Sequence, residues 1–148
     1  MARPRGPSGG SAKRAEYRGL TLPTRIRLTP QRRALLELIA DRKGSFTAVE
    51  LFQEGRRREP KLGLATVYRT VELLRRTGCV RQLVGDAHPG YVRCEPGHHH
   101  HLVCLSCGAV EETELCAAPP ARELKKRYGF AAEWHEFDVF GTCKRCAA

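Results

Sequence analysis

No stretch of the 148 residues approaches the roughly 18 consecutive apolar residues that a membrane-crossing helix requires. The N-terminus also lacks the apolar core of a secretory signal, so a cytoplasmic protein with no membrane partner is expected. In that reducing compartment the seven cysteines read as metal ligands or reactive thiols rather than as disulfides. Neither HExxH nor HxE…PCxxC occurs. Without an open metal beside a general base, a zinc hydrolase or deaminase is disfavoured, and neither an enzyme nor a small-molecule substrate is expected. Internal repeats are absent, and low complexity is confined to the start of the chain. Acidic residues are in deficit, 16 against 26 Lys plus Arg, for a formal charge of +10.

That deficit is unevenly placed. Residues 1–30 hold 7 basic and 1 acidic side chains, residues 31–93 hold 13 and 7, and residues 94–148 hold 6 and 8. A basic two-thirds followed by a slightly acidic, Cys/His-rich end is the footprint of a polyanion reader joined to a metal module. The bland reading is a generally Arg-rich surface. Residues 1–18 combine Pro, Gly, Ser and Arg with almost nothing to bury, and read as a disordered basic leader. Residues 19–93 then read as one domain and 94–148 as a second.

From Leu28 the pattern turns helical. Thr29 caps, Pro30 suits the first helical position, and Ala34, Leu35, Leu38 and Ile39 form one apolar stripe before Gly44. Thr47 with Glu50 makes a capping box for a second helix that runs out between Gly55 and Arg58. Gly63 opens a third, with Leu64, Val67, Val71 and Leu74 inward and Gly78 as its stop. After Gly78 the period becomes two: Val80 to Val84 and Tyr91 to Cys94 read as strands joined by the turn-rich Gly85 to Gly90. Three helices followed by a β-hairpin is the order of a winged helix-turn-helix, whose third helix enters the major groove of DNA. Opposite its apolar stripe that helix presents Thr66, Tyr68, Arg69, Arg75 and Arg76. Tyr68 and Arg69, near its start, are the base-reading candidates, since Arg pairs bidentately with guanine and a Tyr ring lies against thymine methyls. An ordinary amphipathic helix with a charged face is the competing reading, and a zinc-stabilised interaction module without DNA is its counterpart for the whole chain.

The last third is built around CEPGHHHHLVCLSC, Cys94 to Cys107. Two CxxC pairs, Cys104 with Cys107 and Cys143 with Cys146, suit a tetrahedral zinc whose four-sulfur shell leaves no open position, hence a structural site. If His98 to His101 are extended, alternation sends His98 and His100 to one face and His99 and His101 to the other, so one strand serves two metal sites. Cys94, five residues before His99, is a partner for His99 and His101, and His135 is a partner for His98 and His100. A mixed thiolate and imidazole shell favours zinc over iron or manganese. Glu112 and Glu114 are carboxylates able to complete either set. Between the two CxxC pairs, His101 to Cys104 and Ala109 to Thr113 read as strands, a helix runs from Pro119-Pro120 to Gly129, and Phe130 to Phe140 alternates as a further strand.

TVYRTVELL, HHHHLVCLSCG and the closing GTCKRC resemble the ferric uptake regulator family of dimeric, metal-responsive repressors, over about residues 20–146. The resemblance implies an α+β protein, with an N-terminal winged helix-turn-helix domain and a small C-terminal α/β dimerisation domain holding structural zinc. It also implies a regulatory metal at the hinge, which draws two winged helices into the spacing of a palindromic, AT-rich operator. By the same resemblance Tyr68 and Arg69 match the groove-reading pair, Arg27 a minor-groove contact, His99 and His101 regulatory ligands, and His98, His100 and His135 a second, domain-stabilising set. Cys94 resembles the zinc-sensing members, where iron sensors carry Glu or Asp. A repressor of metal-uptake genes responding to zinc is therefore expected, the alternative being a sensor of iron, manganese or peroxide with Fe(2+) or Mn(2+) at the regulatory site. The chain departs from the family where Ser45 and Arg81 replace ligating residues. The fourth regulatory ligand stays open between Glu112, the first choice, and His88. Ala118 stands where the second site has its acidic ligand, leaving Glu114, Cys116 or an empty site.

Overall fold

The structure is a computed structural model that describes residues 14–83, 90–94 and 98–148. Most of the expected leader, the tip of the expected wing and His88 lie outside these residues. The chain divides into two units, Met1–Pro96 and Gly97–Ala148.

The first unit opens with a hairpin. β1 (Arg14–Tyr17) pairs antiparallel with β2 (Leu20–Pro23). Arg18 and Gly19 turn between them at φ 48° and 76°, the left-handed pair that a two-residue hairpin loop requires. Residues 14–18 are therefore ordered, against the expectation of a leader reaching Arg18. The Tyr17 hydroxyl donates to Glu37 at 3.1 Å, and Leu20 and Leu22 are buried in the core, which gives the segment the apolar anchor that its composition hides.

Three helices follow. α1 (Pro30–Ala40) starts where Thr29 accepts the Arg32 amide at 3.3 Å. It buries Ala34, Leu35, Leu36, Leu38 and Ile39 and closes at Asp41, before Gly44. α2 (Ala48–Arg58) carries the complete capping box: Thr47 N–H donates to Glu50 Oε2 at 2.7 Å and Glu50 N–H to Thr47 Oγ1 at 3.1 Å. α3 (Leu64–Thr77) ends at Gly78, whose φ of 80° places it in the left-handed region that glycine enters without a Cβ penalty. α3 buries Val67, Thr70, Val71 and Leu74. Leu64, expected to face inward, is 39% exposed because it stands on the first turn, outside the core cluster. Thr70 takes an inward place instead, its hydroxyl satisfied by the Thr66 carbonyl at 2.8 Å.

β3 (Val80–Gln82) and β4 (Tyr91–Arg93) form the antiparallel hairpin after α3. Phe46 adds a bridge to Tyr91 on the outer side, with amide-to-carbonyl distances of 2.9 and 2.7 Å. Cys79 joins this hairpin to the first one: its sulfur accepts the Thr21 amide at 3.0 Å. The Cys94 amide donates to the Cys79 carbonyl at 2.9 Å, so the first unit runs past residue 93.

In the second unit β5 (His100–Cys104) is central, flanked by antiparallel β6 (Val110–Thr113) and parallel β7 (Asp138–Gly141). α4 (Ala121–Tyr128) precedes β7 and ends at Gly129, φ 63°. Strand structure was expected from Phe130, yet it begins only at Asp138, the partner of His101. β5 itself starts at His100, so the chain before Asp138 has almost no strand to pair with. The residues of this unit that are buried as a whole, among those described, are His100, His101, Val103 and Cys104; α4 contributes none.

The first unit's stability is expected to respond to its caps and core independently of metal. Thr47→Ala should cost about 1 kcal/mol and Leu35→Ala about 2–5 kcal/mol. Both should lower the urea midpoint, with the slope of the transition unchanged.

Candidate metal centres and DNA-reading helix

The four CxxC cysteines come together in the second unit because β5 and β7 run parallel. Cys104 closes β5 opposite Gly141, and Cys143 follows two residues later. The first turn folds back through Gly108 N–H to Cys104 O at 2.9 Å, and the second through Cys146 N–H to Cys143 O at 2.9 Å. All four sulfurs lie within 4.8 Å of one another, and Cys107 and Cys143 are 3.8 Å apart. A tetrahedral zinc with 2.3 Å bonds to sulfur requires edges of about 3.8 Å, so the residues fit that ion. The thiols are free and their proton affinities are pulled apart. Cys104 falls to about 6, chiefly because the Cys143 N–H donates to it, at 3.3 Å. Cys146 is pushed up to about 12 by its hydrogen bond with Cys143. Backbone amides thus already favour negative charge here, as a cation site requires.

The histidine rings pair by alternate positions. His98 and His100 have ring centroids 4.7 Å apart, and His99 and His101 5.0 Å. His135 joins the first pair, its centroid 4.7 Å from His98 and 5.2 Å from His100. Cys116 stands in the same group, its Sγ 3.2 Å from His135 Nε2. Glu114 is exposed and belongs to no such group. Phe137 stacks on His100 at 3.8 Å between centroids and fixes the ring of a side chain that is 1% exposed.

Around His99 and His101 the structure adds one residue that the sequence reading did not single out. His101 Nδ1 lies 3.3 Å from Asp138 Oδ1, with both side chains wholly buried. A carboxylate accepts only, so Nδ1 carries the proton and Nε2 is left as the ligating atom, the arrangement that orients metal-bound histidines. Only the parallel register of β5 and β7 reveals this partner. Glu112 Oε1 is 3.9 Å from His99 Nε2, somewhat wider than the edge of about 3.4 Å between nitrogen and oxygen ligands of one tetrahedral zinc. Cys94 is buried in the first unit.

On α3, Tyr68 and Arg69 are exposed and Thr66 is half-buried, while Val67 and Val71 face the core. Arg75 is engaged with Glu72 at 2.9 Å, one turn apart on the same helix. Arg27 is exposed just before α1. The start of α3 therefore offers an aromatic ring and a guanidinium to solvent, the groups that read base edges.

Three helices closed by a hairpin, with Cys/His clusters gathered on a separate small sheet, define a winged-helix protein carrying a metal-binding α/β unit. Residues 24–140 match the ferric uptake regulator family, and the chain belongs to it. It is 39% identical over 127 residues to a zinc uptake regulation protein of Mycobacterium tuberculosis, covering 82% of this chain and 95% of that one. A ferric uptake regulation protein of Bacillus subtilis is 36% identical over 126 residues, covering 81% and 85%. A solved structure of a zinc uptake regulator complexed with zinc and DNA superposes with a TM-score of 0.64 at 30% identity, covering 84% and 85%.

Removing the carboxylate behind His101 should weaken metal binding by about 10–100-fold. Asp138→Ala is the variant to compare with wild type, by competition against a chromophoric zinc chelator; equal affinities would show that the carboxylate does not support a ligand.

Proposed function

We propose that this chain is a homodimeric, zinc-sensing transcriptional repressor that, when loaded, closes palindromic, AT-rich operators of metal-uptake genes. Cys104, Cys107, Cys143 and Cys146 hold the structural zinc. Cys94, His99, His101 and Glu112 form the regulatory set, and His98, His100 and His135 the second, domain-stabilising set. Tyr68 and Arg69 read bases in the major groove with Thr66 beside them, and Arg27 reaches the minor groove. A protein reading operators works where the chromosome is, in the cytoplasm, and as a regulator rather than an enzyme.

The observation that carries the choice of metal is the thiol at Cys94. A thiolate added to an imidazole set makes the donors softer, which suits zinc better than iron or manganese. The zinc uptake regulation relative at 39% identity supports the same choice. The alternative, a sensor of iron, manganese or peroxide, has the Bacillus subtilis ferric relative at 36% in its favour, and its donor set would be all nitrogen and oxygen. Support for a dimer comes from the apolar side chains that the second unit leaves exposed, among them Leu102, Leu105, Leu115, Phe130 and Trp134. Large apolar side chains left in water suit a protein partner where they adjoin, and a second copy of this chain is the occupant that the family resemblance implies.

When bound, zinc supplies positive charge and a fixed tetrahedral geometry among donors from separate parts of the chain. Asp138 holds the proton on His101 Nδ1, so that ring is already aimed. If the DNA-competent arrangement binds zinc better than the open one by some factor, operator DNA tightens zinc binding by the same factor.

Two measurements test this. Cys94→Ser should abolish zinc activation in gel shifts at buffered zinc while the tetrathiolate zinc stays bound; activation equal to wild type, or a response to buffered iron or manganese alone, would overturn the zinc assignment. Tyr68→Ala with Arg69→Ala should lose operator binding at saturating zinc with the dimer and its metal content intact, whereas retained binding would exclude α3 as the reading helix.

A further inference from the structure

The second histidine set has three imidazoles, and its fourth ligand is open by sequence between Glu114, Cys116 and none, because Ala118 stands where an acidic one is expected. We propose that Cys116 is that ligand, and that a zinc bound by one thiolate and three imidazoles pins both flanks of α4 to strand β5. The inference deepens the reading of His98, His100 and His135 given above and rests on it.

The geometry carries the assignment. The donor atoms of His98, His100, Cys116 and His135 all lie within 4.8 Å of one another. Two of the edges are tighter: His98 Nε2 to His100 Nε2 is 3.1 Å, and Cys116 Sγ to His135 Nε2 is 3.2 Å. A tetrahedral zinc with bonds of 2.0–2.1 Å to nitrogen and 2.3 Å to sulfur has edges of about 3.3 Å between nitrogens and about 3.6 Å from nitrogen to sulfur. No carboxylate shares this group. The chemistry therefore differs from a site closed by Glu or Asp: replacing the hard oxygen with a thiolate moves preference further toward zinc and away from manganese or iron.

Position gives the site its consequence. Cys116 lies five residues before α4 begins and His135 seven residues after it ends, while His98 and His100 stand at the start of β5. α4 buries none of its own side chains, so the chain from 116 to 135 has little packing to hold it, and a metal clip across its ends replaces a core. His100 is buried but His98, Cys116 and His135 are exposed, leaving the ion in reach of solvent and of competing chelators. The single tryptophan, Trp134, neighbours His135 and reports on the site.

Cobalt(II) added to the full-length protein carrying its tetrathiolate zinc is the probe, in a Cys94→Ser background so that Cys116 supplies the thiolate. Cys94→Ser should develop a thiolate-to-cobalt charge-transfer band and tetrahedral d–d absorption, with quenching of Trp134 emission. Cys94→Ser with Cys116→Ser should lose the charge-transfer band, and half-quenching of Trp134 should require at least about tenfold more cobalt, no less than loss of an outer-sphere partner costs. Amide exchange in α4 should be slowed by zinc in the first variant and not in the second. An undiminished band after Cys116→Ser, or no band in Cys94→Ser, would overturn the proposal. The band reports a bond at Cys116 and is blind to operator binding, so it stands or fails separately from the reading of the chain as a zinc-sensing repressor.

Discussion

Taken as a single copy, the second unit buries little of its own chain. Four of its described residues are buried, and two of those are histidines. A helix with no inward side chain and a three-stranded sheet with little apolar cover are far below what a small domain needs to repay the entropy of ordering its chain. In the proposed reading, metal coordination and a second copy of the chain supply what the missing core does not. Zinc held by the two CxxC turns would lock the ends of β5 and β7, where parallel pairing brings Cys104 beside Gly141, and imidazoles at the opposite end of β5 stand near His135 in the chain that precedes β7. The unit is therefore a structure whose stability is expected to track metal, which is the physical precondition for a sensor.

The first unit is built on the opposite plan. Leu35, Ile39, Phe46, Leu51, Val67 and Leu74 form a closed apolar cluster to which the N-terminal hairpin adds Leu20 and Leu22. Such a core has one arrangement, so α3 is presented rigidly, with Tyr68 and Arg69 outward because Val67, Thr70 and Val71 are inward. Rigid reader and metal-dependent module divide the work: in the proposed mechanism metal changes the placement of the readers, and leaves their internal structure alone.

Local signals were readable where they were short in range. The capping box of Thr47 and Glu50, the Thr29-Pro30 start, the stop at Gly78 and the two CxxC turns each depend on residues three or four apart, and each appears in the fold. Contacts remote in sequence were not readable. The β1–β2 hairpin is disguised by Arg, Glu and Gly, and its turn uses an arginine at positive φ that propensity does not suggest. Leu64 has the spacing of a core residue and lacks anything to pack against. The alternating run from Phe130 has a strand's pattern and almost no neighbouring strand before Asp138.

The sequence by itself determined the family, the order of helices and hairpin, the four thiolates and the separation of the histidines onto two faces, since these follow from spacing along one strand or one helix. Tertiary structure decided which groups stand behind or beside those cysteines and histidines. Asp138 meets His101 only through a parallel register 37 residues removed, and Cys116 meets His135 only because the chain on both sides of α4 returns to the same end of β5. Spacing carries no information about either, because a ligand set is closed by distance in space, and that distance is set when the sheet forms.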